Sequence, residues 1–157
     1  MTSDDIKLCD LQGELFEQSL QLNCGSSVFI RRFMNSDLVK RFDNASILNE
    51  SIDTYEMLKS VNEEYQSSPT GSKQFGLEEL FWIGYIYRYW QILFQISSKR
   101  IYKICNSTEM RKLYYIYHTL DPEKAIKRIL DAKGIDCSNS INRGVELLRE
   151  IRKKGQS

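Results

Sequence analysis

The sequence predicts an all-α fold, a single compact domain of seven to nine helices built round one aromatic helix at about residues 77–96. Three observations predict it. Two prolines and eight glycines in 157 residues leave long stretches unbroken. Apolar residues recur three and four apart behind Ser, Asp and Pro start signals. No run alternates apolar and polar residues between hairpin turns.

The bulk numbers bound the rest. At 41% hydrophobic and 27% charged, the chain is globular in composition and the size of one domain. We read residues 1–157 as that domain, with an N-terminal helix or arm at 1–24, a core at 26–134 and a basic amphipathic helix at 139–157. Lysine plus arginine is 22 and aspartate plus glutamate 21, so the net charge of +1 argues against nucleic acid as a partner. Cys9, Cys24, Cys105 and Cys137 lie far apart with one histidine in the chain, so no zinc site is expected and the cysteines read as buried, reduced thiols. No cofactor is expected. The start, "MTSDDIKLCDL", has no apolar core of the secretory type, and "LFWIGYIYRYWQILFQI" carries Arg88 and two glutamines, so a buried helix is expected there rather than a membrane span. Together these point to a cytoplasmic protein.

Taken in order, the first helix is expected over about Asp4–Leu22, closed by Gly25. Ser26 or Ser27 then caps a helix, and Ser36 starts a short one carrying Leu38 and Phe42. Asp53 caps the next, with Glu56 at N3 and Ile52 and Met57 at the staple positions. Residues Gln66–Gln74, "QSSPTGSKQ", read as a loop. The central helix follows over about Leu77–Ile96, where Gly84 suggests a close helix crossing. Arg88, alone among aromatics, is either paired with a carboxylate or in contact with a ligand. Ser97 or Ser98 caps a helix that buries Ile101 and Ile104. Ser107 caps another with Met110, Leu113, Tyr114 and Tyr117 on one face. "LDPEKAIKRILDAKG" is the best-marked helix: Asp121 at the N-cap, Pro122 at N1, an i,i+4 pair of Glu123 and Lys127, and Gly134 at the stop. The last segment puts Ile141, Val145, Leu148 and Ile151 on one side, for docking on the domain or on another protein.

No phosphate-binding glycine loop, nucleophile elbow or metalloprotease helix is present. "SSKRIYKICNSTEMRKLYY" has the outline of a helix-turn-helix, which makes a DNA-binding regulator the third functional reading. The second is set by Arg111 and His118, seven residues apart and so two turns along a continuous helix. That spacing resembles the Arg-x4-6-His motif of HEPN ribonucleases, which implies metal-independent RNA cleavage by Arg111 and His118. Lys112 stands where that family often has a small polar residue. His118 also lies three residues before the Asp121 cap, which predicts a junction where its imidazole donates to a carbonyl at the helix end.

A wider resemblance sets the first reading. "YIYRYW", "SSKRIYKI" and "YYIYHTLDPEKAIKRIL" resemble a group of short bacterial all-helical proteins, through Ser98, Ile101, Tyr102, Tyr114, His118 and Thr119. The likeness spans about residues 26–134 and includes "SSVFIRRFMNSDLVKRFD". Genes of that group often stand beside one for an ADP-ribosyltransferase-like protein. The resemblance therefore implies a non-catalytic antitoxin-like or immunity-like protein whose partner is such a toxin; a homodimer is a separate expectation. The candidate contact residues are Arg88, Tyr115, Tyr117 and His118.

Overall fold

Local start signals and close crossings explain how the helices are placed. The structure, a computed structural model, describes residues 1–65 and 71–135. Cys137, the basic helix expected at 139–157 and most of the Pro/Ser/Gly stretch lie outside the described residues. Among those described there are eight α-helices, two short 3₁₀ turns and no strand.

α1 (Ser3–Gln18) begins one residue earlier than expected because Thr2 and Asp5 form a reciprocal capping box. It ends early too: Ser19–Gln21 tighten into a 3₁₀ turn, which Ser19 Oγ supports by donating to Phe16 O. Gly25 does not close α1. It is the N-cap of α2 (Ser26–Met34), at φ −65°, and a Cβ there would lie 3.2 Å from Ser72 N. Ser26 is likewise not a cap. Its hydroxyl accepts from Phe75 N–H at 2.9 Å, while its own N–H donates to Lys73 O at 2.9 Å. Residues 71–76 are thus stitched to the start of α2.

The Ser36 and Asp53 caps form as expected, on Val39 N–H and Glu56 N–H, and start α3 (Asp37–Asp43) and α4 (Thr54–Glu64). α5 (Leu77–Phe94) stops before Ile96, because Gln95 turns left-handed at φ 55°. Ser97 caps α6 (Ser98–Ile104), where Ile101 is buried but Ile104 only half so. α7 (Ser107–Tyr117) is capped by Asn106 rather than Ser107: the amide oxygen takes Glu109 N–H at 3.0 Å. α8 (Pro122–Ala132) starts at Asp121 with no side-chain cap bond, and ends at Gly134, φ 73°. There Ile135 N–H reaches back to Leu130 O, the Schellman closure that favours glycine.

The core is one cluster drawn from every helix, with Phe16, Phe29, Phe33, Phe42, Tyr87 and Trp90 among its fully buried members. Phe16 packs edge-on against Phe29 and Phe33, the favoured geometry for aromatic rings. α1 runs along α5 in the most extensive helix pair of the fold. Glycine permits the approach: a Cβ on Gly84 would lie 2.7 Å from Gln12 O, and one on Gly13 2.8 Å from the Phe81 ring. No helix among the described residues is long and apolar enough to cross a membrane.

Candidate functional site

Two polar clusters stand out, one inside the helices and one on their outer side. The inner cluster surrounds Arg88, which is fully buried. Its Nε donates to Gln12 Oε1 at 2.8 Å and one terminal nitrogen to Asp43 Oδ1 at 2.6 Å and Gln91 Oε1 at 3.0 Å. The other terminal nitrogen donates to Ser98 Oγ at 3.1 Å. Ser98 in turn gives both its N–H and its hydroxyl to Asp43, and Gln12 Nε2 donates to Gly84 O. The guanidinium also lies 5.5 Å from the Phe42 centroid. Burial pulls the Arg88 pKa down and Asp43 opposes that shift. Every arm of this cluster ends inside the chain and ties α1, α3, α5 and α6 together. The contact role expected of Arg88 is therefore replaced by the pairing role: a side chain with no exposed surface meets no partner.

The outer cluster runs along α7. Arg111 Nε donates to Glu79 Oε2 at 3.0 Å, and its guanidinium lies 4.6 Å from the Phe75 centroid. Burial alone would raise the Glu79 carboxyl. The Gly76 N–H at 2.7 Å and Arg111 outweigh it, with a smaller hydrogen-bond contribution from Tyr115, and hold the group below the usual carboxylate range. Tyr114, one turn on, donates to Glu78 Oε2 at 3.3 Å and meets Trp82 edge-on at 5.9 Å. His118 is the C-cap residue of α7. Its ring stacks on Tyr114 at 4.5 Å, and Nδ1 lies 2.8 Å from Tyr114 O, so that nitrogen carries the proton. The junction expected of His118 is what the backbone adopts.

Of the other candidates, Tyr115 is 66% exposed and Tyr117 is half-buried against the core. The sequence reading missed Ile116, which is 62% exposed beside Tyr115. A signal existed: Ile116 falls off the face that Met110, Leu113 and Tyr117 define. It also missed a groove of about 400 Å³ walled by Lys73, Thr108, Arg111, Lys112 and Tyr115. Lys73 comes from the stitched 71–76 segment, so helical spacing could not bring it to α7.

Comparisons with protein-family models, curated proteins and solved structures give no match. The chemistry of the site rests on its geometry.

That geometry does not resemble a nucleophilic site. Cys9 and Cys105 are buried, which pushes each thiol up to about 12, and Cys24 is raised for the same reason. Among the described residues no group of three His, Cys, Asp or Glu side chains converges as metal ligands. On the surface of α7, Tyr114 lies between Arg111 and His118, and the Arg111 charge faces a carboxylate. A scissile phosphate placed there would compete with Glu79 for the arginine.

Proposed function

We propose that this chain is a protein-binding module whose contact surface is the outer face of α7, in the manner of an antitoxin-like or immunity-like partner of a bacterial toxin enzyme. The observation that carries the reading is the adjacent exposure of Tyr115 and Ile116 on an ordered helix. Large apolar groups side by side on an otherwise charged surface are the usual mark of a contact site. His118, exposed and stacked on Tyr114, extends that face, and Tyr117 supports it from beneath. The kind of partner follows from the family resemblance in the sequence, whose genes stand beside ADP-ribosyltransferase-like genes.

The test is to recover the tagged chain from its bacterial host and compare wild type with Tyr115→Ala and Ile116→Ser. Loss of one co-purifying protein in folded variants supports the reading, and unchanged recovery removes it. An RNA cleavage assay with Arg111→Ala and His118→Ala runs beside it. Cleavage by wild type and by neither folded variant would put the ribonuclease reading in its place.

A further inference from the structure

Resting on the α7 surface as the contact face, we infer that the partner presents carboxylate side chains beside an apolar anchor, and that the groove of Lys73, Arg111 and Lys112 receives them.

Charge complementarity carries the inference. Three cations wall the groove. Among the described residues, the carboxylate paired with one of them is Glu79, nearly buried and held by Arg111 and Gly76. Three cations against one carboxylate leave an excess of two positive charges. Lys73 and Lys112 are exposed, and neither has an ion-pair partner among the described residues. Glu109, on the turn before Lys112, is occupied by Lys133 at 2.5 Å. Thr108, in the first turn of α7, adds a hydroxyl donor near the positive end of the helix dipole.

The groove is also preformed. Lys73 sits on backbone fixed by two hydrogen bonds to Ser26, and Gln74 Nε2 reaches Leu20 O and Leu22 O. Arg111 is held between the Phe75 ring and Glu79. A groove whose backbone and Arg111 are already held needs less ordering on binding than one that must be assembled. Tyr115 forms one wall, and Ile116 follows it on the helix. A carboxylate in the groove therefore lies beside an apolar contact. That alternation of charge and apolar surface suits an acidic protein segment. A nucleic-acid strand needs a long basic stripe, whereas this groove is short and walled in part by Tyr115.

The experiment uses the full chain and two short fluorescent peptides, one alternating Glu with Leu and one alternating Gln with Leu, read by fluorescence anisotropy. An oligo-uridine RNA of similar length serves as a third probe. We expect the Glu peptide to bind at least about tenfold more tightly than the Gln peptide, and the preference to fall as salt rises from about 50 to about 300 mM. Lys73→Glu/Lys112→Glu should remove the preference while circular dichroism stays unchanged. Equal binding of the two peptides, binding of neither, a preference that survives the double variant, or tighter binding of the RNA would each overturn the inference. The two readings fail separately. Should Tyr115→Ala abolish recovery of the host partner while the double lysine variant retains it, the contact face stands and the acidic partner falls. Should Tyr115→Ala and Ile116→Ser leave recovery intact, the contact face itself falls.

Discussion

Arg88 and Arg111 each face a carboxylate at hydrogen-bond distance, 2.6 Å from Asp43 and 3.0 Å from Glu79. What surrounds them differs. The Arg88 side chain is 0% exposed and gives its donors to four side chains, whereas that of Arg111 is 29% exposed and rests on one ring and one carboxylate. The first is a tie between four helices. The second lies at the edge of a groove with charge left over. The same pair of residue types thus stabilises in one place and presents a surface in the other, and burial separates the roles.

Four substitutions break or sharpen that contrast. Arg88→Ala has the largest expected effect, about 3–5 kcal/mol in urea unfolding, because it leaves Asp43, Gln12 and Gln91 without their shared donor in a closed space. A variant of wild-type stability would erase the distinction between the two arginines. Gly84→Ala comes next, at about 1–3 kcal/mol, since the new methyl group meets the Gln12 carbonyl rather than a side chain that can swing away. Thermal melting reads this one, and an unchanged melting temperature would mean that α1 and α5 separate easily.

Arg111→Ala should cost less, about 1–2 kcal/mol, for one partly exposed ion pair and a cation–π contact. Its partner supplies a pH signature. Folding lowers the Glu79 pKa, so the ionised group stabilises the fold above the ordinary carboxylate range. That contribution disappears as pH falls through the folded pKa. The stability gap between wild type and Glu79→Gln should therefore be open at neutral pH and closed in acid. A gap that widens in acid would contradict the assignment. Tyr115→Ala should have the smallest effect on stability, within about 0.5 kcal/mol, because the ring is mostly in solvent. A larger loss would make Tyr115 a structural residue like Arg88.

Much of the helical layout was legible because its causes are local. Ser36, Asp53, Ser97 and Pro122 mark helix starts within one turn of chain, and Gly134 marks a stop through its own backbone angle. The misplaced caps of α2 and α7 share one reason, competition from distant or neighbouring groups. The Ser26 hydroxyl is engaged by Phe75 N–H, far along the chain, and Gly25 takes the N-cap position instead. Asn106 displaced Ser107 because either side chain can reach an N3 amide, and spacing alone does not choose between them.

Composition and periodicity alone determined that this chain is all-helical, that α5 lies at its centre and that Gly84 marks a close crossing. Those properties follow from propensity, caps and apolar spacing, which act over a few residues. Tertiary structure decided that Arg88 rather than Arg111 is buried, that Asp43 and Ser98 hold it, and that Lys73 meets Lys112 across a groove. These pairings join residues from about ten to more than forty positions apart, and their partners are chosen by how helices pack rather than by any neighbour in sequence.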